Sequence, residues 1–301
     1  MSSASTIPMT TSTRIAMLEY DFMTNAFAAA GIAATVSGLA GFFLVMRGQT
    51  FAGHALSHVG FAGATGAALL GIAPLWGLLG FTLAAGLGMG FLGARIGNRD
   101  VAIGVVLALA LGFGLLFLHY QTSFATQATA ILFGNVFAVD PPTVTMLACL
   151  SIVTLLALAA IMRPLVFASL QPEMAEARGV SLRAVSMAFL AIVALAVSAC
   201  AQIVGVLLVF TLMVGPPAAA QLVTARLWSG LLLSVLFAVA AAWCGITIAW
   251  YTDWPVSFCI AALSATGYFF SLGLASRGEP AWKSFAAAAQ TVRERLTYKP
   301  Q

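Results

Sequence analysis

The sequence predicts an all-α polytopic membrane protein, and three observations carry that prediction. Of 301 residues, 61% belong to the set AVILMFWYC, only 7% are charged, and apolar stretches of span length recur along the chain. A water-facing surface needs about 25% charged residues, far more than this chain supplies. The near balance of 13 Lys+Arg against 9 Asp+Glu leaves no basic face for nucleic acid, so none is expected as a partner.

A helix rising 1.5 Å per residue crosses about 30 Å of hydrocarbon in roughly 20 residues. Apolar segments of that length fall near 22–46, 52–71, 75–94, 101–118, 143–162, 184–200, 203–225, 229–250 and 256–275. Nine spans is the preferred reading and eight the alternative, because the sixth and seventh abut. The segment 124–139, FATQATAILFGNVFAV, is too short and broken to cross, and reads as one reentrant hairpin on the outer side. Pro216-Pro217 removes two successive backbone donors and is expected to break the seventh span. Broken helices at membrane depth line cavities, which favours a transporter over a passive anchor.

Lys and Arg in short loops stay on the cytoplasmic side. With the amino terminus outside and the carboxyl terminus cytoplasmic, twelve of the 13 cations fall on the inner side, and only Arg14 does not. The chain therefore divides into a polar tail over 1–20, a membrane domain over 21–276 with a cytoplasmic loop at 163–183, and a cytoplasmic tail over 277–301. The tail carries AWKSFAAAAQTVRERL, which suits an amphipathic helix against anionic lipid. Gly86-x-x-x-Gly90 and Gly93-x-x-x-Gly97 read as close helix contacts. Cys149, Cys200, Cys244 and Cys259 lie in apolar runs without a C-x-x-C and read as packing residues.

Ionisable residues inside the spans are rare, so the exceptions are informative. His54 and His58 stand four residues apart in FAGHALSHVGFAG, on one helical face, where two imidazoles can grip one transition metal. Zinc proteases use the same spacing as H-E-x-x-H, but the place of their general base is taken here by Ala55, which removes the protease reading. Two imidazoles are too few for a filled tetrahedral site; a two-fold mate supplies two more, on the axis where a route between subunits runs. Asp100 reads as a helix-start residue or a pathway residue. Asn135 and Gln127 are further pathway candidates, His119 reads as interfacial, and Asp140 and Asp253 as outer-side carboxylates.

In the inner loop, Glu173 to Arg178 reads as a short helix begun after Pro172 and ended by Gly179, either a connector or a knob for a soluble partner. Neither Lys283 nor Lys299 lies in a glycine-rich phosphate loop, so the chain is expected not to be an enzyme; any ATP is hydrolysed by another polypeptide.

Together, Arg47-Gly48 with FAGHALSHVGFAG, AILFGN, QPEMAEARGV and VGVLLVFTLMVGPPAAA resemble the membrane subunits of ATP-binding-cassette importers for zinc and manganese, over roughly 20–275. The resemblance implies a bacterial inner (plasma) membrane permease working as a homodimer or pseudo-dimer, two cytoplasmic ATPase subunits, and an extracytoplasmic metal-binding protein. It makes Glu173, Glu176 and Gly179 part of a coupling helix that docks on the ATPase. It also makes His58, with position 54, the metal contact at the dimer centre. Family members carry Asp where this chain has His54, and often Asp where it has Asn135. Exchanging carboxylate for imidazole moves a site from hard oxygen toward borderline nitrogen, so zinc is expected ahead of manganese as cargo, with no permanently bound cofactor. The alternative is an ion-coupled secondary transporter acting without an ATPase. That mechanism needs intramembrane carboxylates, which the spans lack away from their ends.

Overall fold

The computed structural model describes residues 20–92, 99–120 and 132–275. These form ten α-helices: α1 (Asp21–Met46), α2 (Thr50–Leu69), α3 (Pro74–Leu92), α4 (Arg99–His119), α5 (Pro141–Leu170), α6 (Pro172–Ala177), α7 (Leu182–Val204), α8 (Val206–Val223), α9 (Leu227–Thr252) and α10 (Val256–Ala275), with a 3-10 turn at Val136–Ala138. Each of the nine predicted spans overlaps one helix, α5 running on through Pro164 to Leu170 into the predicted inner loop, and α6 is the predicted short helix of that loop. Seven helices, α1, α3, α4, α5, α7, α9 and α10, are long and apolar enough to cross a membrane. Of the other two, α2 is rich in small and polar residues, as suits a segment that meets protein more than lipid, whereas the apolar stretch of α8, Leu208–Val223, is short.

Helix ends follow local chemistry. Asp140 accepts the Thr143 N–H at 3.3 Å in front of Pro141-Pro142 and starts α5; Ser181 accepts from Ala184 at 3.3 Å and starts α7. Thr143, through its side chain first and its N–H second, also holds the exposed Asp140 carboxyl below its ordinary range. Helices α1, α2 and α6 end alike. Gly48, Gly71 and Gly179 take positive φ, and the next residue donates back to Leu44, Ala67 and Ala175 at 2.9 Å.

Small residues set the packing. Helix α2 lies against α3 and α4, α3 against α7, α1 against α8 and α9, and α8 against α10. Gly63 and Gly77 face each other across α2 and α3 so closely that a Cβ on either would overlap the other's carbonyl. Gly86 sits on the Leu190 carbonyl and Gly90 on Met187, the close contact expected of that motif; Gly93 and Gly97 lie outside the described residues. Buried Thr82 and Ser198 join α3 to α7 at 2.7 Å. Each hydroxyl has one proton, so one donates to its own preceding turn while the other donates across the interface. Replacing Thr82 by valine is therefore expected to cost about 0.6 to 1.7 kcal/mol, read as a shift in the unfolding midpoint of the detergent-solubilised protein.

The structure corrects one expectation. Helix α8 runs unbroken through Pro216 and Pro217. The prolines free the carbonyls of Leu212 and Met213, and the Met213 oxygen lies against the bare Cα of Gly41, where a side chain would overlap it. The break falls instead at Gly205, with φ 87° and ψ 154°, between α7 and α8. Backbone from Leu132 to Gly134 fills the space where a Cβ of Gly205 would stand.

Of the expected hairpin, 124–131 lies outside the described residues, with Gln127. The rest does not cross. Phe137 packs edge-on against Phe22 with centroids 6.4 Å apart, and the Phe133 carbonyl accepts from Ser257 at 2.8 Å. Cys200 and Cys259 are buried as expected, whereas Cys149 and Cys244 are exposed, so only the first pair packs the interior of this chain. The tails 1–19 and 276–301 lie outside the described residues.

Candidate metal-ion pathway

Helix α2 positions the site. Its Gly53, Gly60 and Gly63 lie close against Leu44, Leu78 and Gly77, and Ser57 turns its hydroxyl back to the Gly53 carbonyl at 3.1 Å. That face is committed to packing. Between Ala52 and Ala67 every residue is buried except His54 and His58. The two imidazoles are thus the places where this interior helix remains open on its other side.

Their rings stand one above the other at 4.6 Å between centroids and 80° between planes. The i, i+4 spacing produces this directly. The far side of His54 meets Phe210 of α8 at 4.7 Å. Nδ1 of His58 is buried without a hydrogen-bond partner among the described residues. A buried ring nitrogen left bare costs free energy unless a ligand or a second protein takes it. Neutral imidazole nitrogens are good donors to first-row divalent metals. Among the described residues no group of three or more His, Cys, Asp or Glu is gathered for a metal, so the histidine pair has no third side chain of that kind beside it there.

The remaining candidates lie apart from this pair. Asp100 is exposed in the first turn of α4, one turn before Gly104, which faces Phe51 of α2. Its place favours an N-terminal helix charge. Asn135 is exposed at the start of the 3-10 turn and makes no capping bond there. Nothing joins either of them to the histidines. Glu173, Glu176 and Gly179 are exposed together on α6 and its end, and Ala175 is the buried anchor of that helix. His119 is exposed at the end of α4.

Sequence reasoning missed two residues. Phe210 joins the site only through the packing of α8 beside α2. Arg47 donates to Ser169 and Ser186, both at 2.9 Å, and lies over the Phe189 ring at 5.6 Å, tying the end of α1 to α5 and α7 just before α2 begins. The Arg47-Gly48 pair was visible in the sequence, but its partners lie more than a hundred residues away.

The chain is 30% identical over 232 residues to the manganese transport system membrane protein MntC of Listeria innocua, covering 76% of this chain and 82% of that protein. It is 28% identical over 260 residues to the manganese import system permease protein ScaB of Streptococcus parasanguinis, covering 86% and 92%. Its fold matches the solved PsaBC from Streptococcus pneumoniae in complex with Fab at a TM-score of 0.77, with 24% identity over 87% of this chain and 95% of that one. With those relatives and seven apolar helices of spanning length, it is a multi-pass protein of the bacterial inner (plasma) membrane. Residues 19–275 match the ABC 3 transport family, and the chain belongs to it.

Proposed function

We propose that this chain is the permease subunit of an ATP-binding-cassette importer for a divalent transition metal, zinc ahead of manganese. The observation that carries it is the half-buried histidine pair on a helix otherwise buried from Ala52 to Ala67, with a bare buried nitrogen on His58. A second copy related by a two-fold axis supplies two further imidazoles and makes a four-nitrogen site between subunits. The relatives named for manganese support the cargo class. His54 supports zinc within that class, since nitrogen donors favour borderline metals over manganese.

In this reading the end of the bundle holding Arg47, Arg178, Arg183 and Arg226 is cytoplasmic, with the amino terminus outside. Helix α6 docks there on a separate ATPase, and an extracytoplasmic binding protein delivers metal at the opposite end, near Asp140 and Asp253. Asp100 and Asn135 serve as outlying pathway residues. Glu173→Arg or Gly179→Val is expected to abolish metal-stimulated ATP hydrolysis by the assembled complex while leaving insertion and metal binding intact. The Gly179 change acts because φ 81° is strained for a side chain.

The test is uptake into proteoliposomes holding this chain with its ATPase. Zinc is expected to outcompete manganese, and His54→Asp to reverse or erase that preference. Imidazole ligates only when deprotonated, so uptake falls as the outside pH is made acidic. The acid loss should move lower in His54→Asp, because a carboxylate stays ionised there. Unchanged metal order and pH profile in that variant would remove position 54 from the site.

A further inference from the structure

Away from the histidines, α5 and α9 both pack on α1 rather than on each other, which leaves α1 as the floor of a trough. Two hollows adjoin at its basic end. One of about 450 Å³ is lined by Arg163, Leu170, Leu227 and Trp228 among others, and one of about 250 Å³ by Gln221, Arg226 and the same Leu170 and Leu227. Further along, an apolar hollow of about 570 Å³ runs over Ile32, Thr35 and Val36 of α1. Neither Arg163 nor Arg226 makes an ion pair among the described residues, and both are exposed.

We propose that this trough binds an anionic phospholipid, with the phosphate between Arg163 and Arg226 and one acyl chain laid along α1. Depth supports it. Arg163 lies roughly 33 Å along α5 from Pro141 at 1.5 Å per residue, which is the far boundary of an approximately 30 Å hydrocarbon core. A guanidinium there reaches headgroups, and the exposed Trp228 beside it is an interfacial residue type. One leaflet's chains occupy roughly 15 Å of the core, and the rise along α1 from Met46 to Val36 is also roughly 15 Å. That distance joins the basic hollows to the apolar one. Basic pockets between helices on the cytoplasmic side are a recognised setting for anionic headgroups.

Native mass spectrometry of the full chain in detergent, titrated with phosphatidylglycerol or phosphatidylcholine of equal chain length, tests the site. Phosphatidylglycerol is expected to be retained about thirtyfold more strongly, and Arg163→Gln with Arg226→Gln to abolish the preference. Arg183→Gln, a cation outside the hollows, should leave it intact. Thr35→Phe, which fills the apolar hollow, should weaken retention of both lipids. Soluble glycerol phosphate should not displace the lipid. Equal retention of the two lipids, a preference surviving the double change, equal loss in Arg183→Gln, no effect of Thr35→Phe, or displacement by glycerol phosphate would overturn the proposal. So would a co-purifying single-span polypeptide that blocks phosphatidylglycerol.

Discussion

His58→Ala is expected to lower metal uptake by roughly a hundredfold or more, since even a partner that only orients a metal ligand is worth about 10- to 100-fold. His58 is the stronger of the two positions because its Nδ1 is buried without a partner among the described residues, so the wild-type chain keeps a donor there for a ligand or a neighbouring subunit to satisfy. Removing the ring takes away that donor and leaves a space that Ala cannot fill. His54→Ala is expected to have a smaller effect, because Phe210 already covers one side of that ring. Radioactive zinc uptake in proteoliposomes reads the effect, and ATPase activity in the same preparation separates lost transport from lost assembly. Wild-type uptake by a correctly assembled His58→Ala complex would show that the metal travels elsewhere.

The second large effect is on stability. Gly63→Val is expected to destabilise the protein by at least about 1 to 3 kcal/mol, the usual cost of overpacking a filled interior, with the upper end favoured because the obstacle is backbone. A side chain at position 63 would overlap the carbonyl of Gly77, and neither helix can yield without opening the α2/α3 seam. Because that seam fixes the rotation of α2, residual folded protein should also lose metal uptake. Gly80→Ala provides the contrast. That glycine has nothing within 4 Å of a Cβ, and alanine is the better helix former, so its unfolding midpoint should hold or rise. A thermal or denaturant midpoint in detergent measures both, and equal midpoints for the two variants would contradict the close approach of α2 and α3.

The outcome at the prolines shows where local rules stopped. Pro216 and Pro217 certainly remove two helical hydrogen bonds. Whether the helix breaks depends on where the freed carbonyls go, and Gly41, about 170 residues earlier in the chain, receives one of them. Gly205 shows the converse. The sequence divided this run into two abutting spans without fixing the junction; the positive φ of Gly205 and the passage of Leu132–Gly134 past it place the division between α7 and α8 there. Cys149 and Cys244 likewise look the same as Cys200 in sequence, and only the orientation of their helices separates exposed from buried.

The amino-acid sequence by itself determined that the chain lies in a membrane, the approximate places of its long helices, and the pairing of His54 with His58. These depend on composition, on runs of apolar residues and on a four-residue spacing, all of which act within a few helical turns. Only the tertiary structure decided that α2 is an interior helix whose one open face carries those rings, that Phe210 covers His54, that Arg47 ties three helices together, and that α1 floors a trough beneath Arg163 and Arg226. In a chain so uniformly apolar, hydrophobic pattern says little about which side of a helix meets protein and which meets lipid. That choice is made by close packing of glycines and by scattered hydrogen bonds between residues far apart in the chain.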